Sequence, residues 1–82
     1  MKALRCMVVD DEPLAVKMLE NFISKTSFLA LEASFTDPVA ALEAIRSRQP
    51  QLVFLDIQMP DLNGMELSRM VPEGIMVMIK FY

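Results

Sequence analysis

The chain has 82 residues, 54% of them hydrophobic and 23% charged, with a formal net charge of −3. That length allows one domain at most, and a chain so short buries only a modest share of its surface. Two Gly and five Pro in an apolar composition argue against disorder, and no basic run could track a phosphate backbone.

With a single cysteine an internal disulfide is ruled out, and with no histidine nothing activates Cys6 as a nucleophile. A buried structural thiol is the reading. No signal peptide is visible and no apolar run approaches the length of a membrane span. A cytoplasmic protein with no membrane partner is therefore expected.

Leu4 to Val9 predicts a first strand that is apolar to its end and runs straight into Asp10-Asp11-Glu12-Pro13. Pro13 suits a first helical residue, with Asp11 or Glu12 capping in front of it. Ala15, Met18, Leu19 and Phe22 recur at i, i+3, i+4 and i+7, which predicts the buried face of a helix ending near Ser24 or Lys25. Met18 is expected in the core, and Lys17, Glu20 and Asn21 on the other face.

Phe28 to Phe35 is more mixed, as an edge strand tends to be. Thr36-Asp37-Pro38 starts a second helix, with Val39, Leu42 and Ile45 as its apolar stripe, Ala41 beside them, and Glu43, Arg46 and Arg48 solvated. Gln49-Pro50 breaks that helix. Leu52-Val53-Phe54-Leu55 is then a continuous apolar run ending on Asp56, as a strand buried on both faces reads. Pro60 and Gly64 shape the loop above it. Met65 to Met70 predicts a short third helix, Pro72-Glu73-Gly74 ends it, and Ile75 to Phe81 reads as a fourth strand.

Strand and helix in alternation are the pattern of right-handed βαβ units, hence an α/β fold with a doubly wound parallel sheet over residues 1–82. In such sheets ligands sit outside the carboxyl ends of the strands. Two buried strands thus deliver Asp10, Asp11 and Asp56 to one edge of one sheet. Carboxylates packed together repel, so the cluster calls for a cation. Oxygen ligands without His or an available Cys favour Mg²⁺, Mn²⁺ or Ca²⁺ over zinc. The plainer alternative is that each Asp only caps a helix or makes a turn; two strand ends together weigh against it.

Val8-Val9-Asp10-Asp11-Glu12-Pro13 and Leu55-Asp56-Ile57-Gln58-Met59-Pro60-Asp61-Leu62-Asn63-Gly64-Met65 resemble the receiver domain of bacterial response regulators. The wording is most similar to receivers that precede a LytTR-type DNA-binding domain. The likeness extends to about Met78. It implies a flavodoxin-like receiver fold, and a domain that is not an enzyme but a phospho-acceptor assisting its own phosphorylation by a sensor histidine kinase. By that resemblance Asp56 is the acceptor. Asp11, Asp56 and the backbone carbonyl of Gln58 hold Mg²⁺, and Asp10 acts through water and the local charge balance. The parent protein would regulate transcription, reaching DNA through a domain that this chain does not contain.

The tail departs from the family's pattern. A full receiver has five βα units, with a Ser or Thr ending the fourth strand and a Lys ending the fifth. Here the fourth strand runs Met76-Val77-Met78-Ile79-Lys80-Phe81-Tyr82, with no hydroxyl residue near Lys80 and Phe81. Lys80 stands on the wrong strand to be the family's Lys and reads as a solvated terminal residue. The expectation is a receiver shortened at its C-terminus by an early stop, a frameshift or a cut from a longer chain, with the last βα units missing. Its fourth strand, an apolar edge, would recruit a second copy of the chain. The alternative to a working acceptor is accordingly a non-switching remnant that acts only by self-association.

Overall fold

Seven elements alternate along the chain: β1 (Leu4–Val9), α1 (Pro13–Ser24), β2 (Leu29–Phe35), α2 (Pro38–Arg48), β3 (Leu52–Asp56), α3 (Gly64–Met70) and β4 (Met76–Lys80). The structure is a computed structural model and describes residues 2–56 and 64–80. Ile57 to Asn63, with the Gln58 carbonyl and the Pro60 turn, lie outside the described residues, as do Phe81 and Tyr82. Among the described residues no helix is long and apolar enough to cross a membrane.

The strands form one parallel sheet in the order β2-β1-β3-β4. Alternation along the inner strands feeds two apolar layers. Met7, Val9, Val53 and Leu55 pack with Ala41 and Ile45 of α2 and Leu67 of α3. Cys6, Val8, Leu52 and Phe54 pack with Val16 and Ile23 of α1. The doubly wound α/β architecture read from the sequence is the one observed. β2 is an edge strand, as its mixed pattern predicts.

Two helix faces differ from the expectation. The spacing puts Met18 in the core, yet it is 67% exposed, and Phe22 is exposed with it. The buried face of α1 is Ala15, Val16 and Ile23, with Leu19 partly covered. The helix carries two apolar stripes, and the one with β-branched Val16 and Ile23 meets the sheet. The other, Leu14-Met18-Phe22 at i, i+4 and i+8, is left exposed, with Phe22 at the rim of the sheet. Glu20 also leaves the predicted solvated face, because its carboxylate accepts from Ser34 Oγ at 2.7 Å and ties α1 to β2. In α2, Ala41 and Ile45 are buried and Leu42 partly so, whereas Val39 is 61% exposed in the first turn.

The helix ends follow local chemistry. Asp37 caps α2 by accepting from the Val39 N–H at 3.2 Å, and Pro38 takes the first helical position. The C-cap, Gln49, adopts the left-handed region (φ 48°) and donates its N–H to the Ile45 carbonyl. α1 begins at Pro13 with Glu12 in the N-cap position, and no side chain closes that cap.

On the α1 face, Leu52 and Phe54 of β3 are buried, whereas Met76 and Met78 of β4 are exposed. Phe22 and Phe54 with Met76 and Met78 line adjoining apolar clefts of ≈ 340 and ≈ 300 Å³. Among the described residues β4 is the outermost strand on that side of the sheet.

Candidate metal centre

β1 and β3 run side by side, with Val9 in register with Leu55. The next position on each strand is an aspartate, so Asp10 and Asp56 arrive together at the carboxyl edge of the sheet. Both are buried, Asp10 at 0% and Asp56 at 4% exposure, while Asp11 is half-buried. One carboxylate oxygen from each of Asp10, Asp11 and Asp56 lies within 4.8 Å of the others. The three residues singled out from the sequence thus meet in one place.

Asp10 is fixed from two sides. Its N–H donates to the Phe35 carbonyl at 3.0 Å, and its Oδ1 accepts from the Glu12 N–H at 3.0 Å. The second bond is a turn of the kind Asp makes with the backbone two residues on. It orients a buried carboxylate and leaves Asp11 to project at the edge. Sequence reasoning missed this use of the Glu12 amide, although the Asp-x-Glu-Pro order was the signal for it.

The electrostatics agree with a cation site. Desolvation by burial pushes the Asp11 carboxyl above its ordinary value, and the neighbouring Asp56 carboxylate pushes it further. A site that resists its own ionisation is one that a cation relieves. The donor set is all oxygen, which suits a hard divalent ion such as Mg²⁺. Cys6 offers no ligand: it is buried in β1, its thiol donates to the Ala30 carbonyl, and burial followed by the Glu32 charge pushes its pKa up.

Comparison with known proteins decides the family. Residues 6–79 match the model of the response regulator receiver domain. The chain belongs to that family. A response regulatory protein of Shewanella oneidensis is 37% identical over 78 residues, covering 95% of this chain and 33% of the relative. The transcriptional regulatory protein BtsR of Escherichia coli is 34% identical over 68 residues, covering 83% of this chain and 28% of the relative. The chain thus spans a third or less of the length of these relatives. Among solved structures, the response regulator domain of Thermotoga maritima CheB superposes with a TM-score of 0.86 at 25% identity, covering 95% of this chain and 60% of that one. The receiver domain of the response regulator NarL from Mycobacterium tuberculosis gives a TM-score of 0.83 at 25% identity, covering 96% and 66%.

Proposed function

We propose that this receiver accepts a phosphoryl group on Asp56 from a sensor histidine kinase, with Mg²⁺ held by Asp11 and Asp56, the Gln58 carbonyl completing the set, and Asp10 acting through water. The observation that carries the reading is the meeting of Asp10, Asp11 and Asp56 within 4.8 Å at one sheet edge. Bound there, a divalent ion offsets the negative charge of the carboxylates and of the incoming phosphoryl group. A carboxylate oxygen of Asp56 attacks phosphorus, the bond from phosphorus to the donor's nitrogen breaks, and its electron pair stays with the departing imidazole. Asp56 then carries the phosphoryl group as a mixed anhydride. Burial of Asp56 at the end of a rigid central strand keeps the nucleophile in one orientation.

The 82 residues are read as one receiver unit, cytoplasmic, and similar to receivers that precede LytTR-type domains. Regulation of transcription belongs to the parent protein through a DNA-binding domain outside this chain. The relative BtsR, a transcriptional regulatory protein, supports that assignment.

Intact mass after incubation with acetyl phosphate and Mg²⁺ tests the acceptor, with Asp56→Asn alongside. A gain of one phosphoryl group that vanishes in the variant is expected. No gain in a folded sample would overturn the reading in favour of an interaction module.

Self-association through β4 is the second partner reading. It is favoured by exposed Met76 and Met78 on the outermost strand, since open edges of this kind recruit another chain. Light scattering that gave a monomer mass at high concentration would refute it.

A further inference from the structure

β4 is covered on one face and bare on the other. Leu52 pairs with Met76 and Phe54 with Met78, and paired positions on neighbouring strands share a face. Leu52 and Phe54 pack under α1, so Met76 and Met78 lie on the α1 side of the sheet, where both are exposed. Val77, pointing the other way, packs against the cluster that holds Leu67 of α3. Strands of parallel α/β sheets are ordinarily covered on both faces. What β4 lacks is a helix with an apolar side.

α1 has such a side and leaves it unused. Leu14, Met18 and Phe22 stand in line at i, i+4 and i+8, all exposed. On the other described helices the exposed large apolar residues are single, Val39 on α2 and Met70 on α3. The bare ridge and the bare strand face adjoin, because Phe22 and Met78 line both clefts between α1 and β4. Within one copy the clefts stay open, since Val16 and Ile23 hold α1 over the inner strands. Under a two-fold axis each copy gives its ridge to the other's β4, and both faces close at once.

The area suffices for this. Leu14, Met18, Phe22, Met76 and Met78, with Phe28 at the second cleft, are each more than half exposed. At about 200 Å² for a whole side chain of this size, they present roughly 600 Å² of apolar surface. A lone monomer seldom shows more. Two such patches reach the lower bound of a specific interface, about 1,200 Å² in all, before any polar rim is counted. Met18, Met76 and Met78 are unbranched and adapt to the surface presented to them.

We infer that the α1 side of the sheet is an interface between two copies of the chain, with Met18 of each seated on Met78 of the other. The inference rests on the self-association reading above and deepens it, naming a face of the molecule where that reading names a strand edge. An interface of this minimal size has a dissociation constant of roughly 10–100 µM, so the dilute chain is a monomer.

Light-scattering mass across rising concentration tests this, for wild type, Met18→Lys, Met78→Glu and an equal mixture of the two variants. Both positions are exposed in the single copy, so each variant keeps its fold, which circular dichroism checks. Wild type is expected to pass from monomer to dimer. Each variant alone would bury two unpaired charges per dimer and should dimerise at least about ten-fold more weakly. The mixture should recover to within about three-fold of wild type, because one seat then pairs opposite charges and the other stays Met on Met. Undiminished dimers in both single variants overturn this inference and leave edge pairing of β4 standing. Weakened variants with no recovery in the mixture overturn the seating of Met18 on Met78. A monomer in wild type at every concentration overturns this inference and self-association together, and leaves the face to a partner other than this chain.

Discussion

Arg5 reaches from the start of β1 to the end of α2, where its Nη2 donates to the Gln49 carbonyl at 2.8 Å. The same guanidinium donates through Nη1 to the Arg48 carbonyl and to the Glu32 carboxylate, each at 3.3 Å. Glu32 sits where the β1–β2 register slips by one residue between Cys6 and Met7. One side chain therefore closes a helix end and engages the residue left over at a bulge. The Arg5–Glu32 pair is partly exposed and worth little alone. Arg5→Ala should cost about 1–2 kcal/mol, mostly through the helix-end carbonyls. Arg5→Lys should recover under half of that, since an ammonium lacks the planar fork. Urea unfolding of the three proteins checks the order.

Gln49 is held in the left-handed region at φ 48° to end α2 ahead of buried Pro50. Glycine meets that backbone shape without a Cβ clash, although it also loosens the unfolded chain. Gln49→Gly should leave stability unchanged or raise it by up to about 1 kcal/mol. Gln49→Val should lower it by about 1 kcal/mol or more, because a β-branched residue fits poorly there. Thermal melts of both variants decide the sign.

The two stripes of α1 give a direct contrast. Ile23 is buried against the sheet, and Ile23→Ala should cost about 2–4 kcal/mol. Met18, on the exposed stripe, should cost less than about 0.5 kcal/mol as Met18→Ala. Equal losses would mean that the exposed stripe is covered in solution.

The raised Asp11 carboxyl makes stability depend on pH in a definite direction. The folded site favours the protonated acid, so its contribution is fully present below the ordinary value of 3.8 and is lost as pH rises through the higher folded value. In magnesium-free buffer, Asp11→Asn should therefore become more stable than wild type as pH is raised above that range. Added Mg²⁺ should reverse the ranking at neutral pH, since only wild type keeps the ligand. Melting temperatures of both proteins across pH, with and without Mg²⁺, test the crossing.

Much of this arrangement was legible in the sequence. The run Leu52–Asp56 announced a strand buried on both faces, and Asp10 and Asp56 at strand ends announced a shared edge. The Asp37-Pro38 signal placed the start of α2 to the residue. What escaped was the choice between competing surfaces. Leu14, Met18 and Phe22 make as good a stripe as Ala15, Leu19 and Ile23, and only packing against β1 and β2 selects between them. Strand register was equally hidden. Neither strand alone tells that Val9 pairs with Leu55, the match that sets Asp10 beside Asp56.

Cys6 lies at the centre of the sheet, on a strand flanked by β2 and β3, with a thiol that is buried and disfavoured as thiolate. A thiol reagent reacts only with the thiolate form, so it reaches this sulfur when β1 opens. The single cysteine is thus a clock already built into the chain. Its labelling rate reports how often the strand leading into Asp10 comes apart, and any ligand that grips the aspartate cluster will slow that clock.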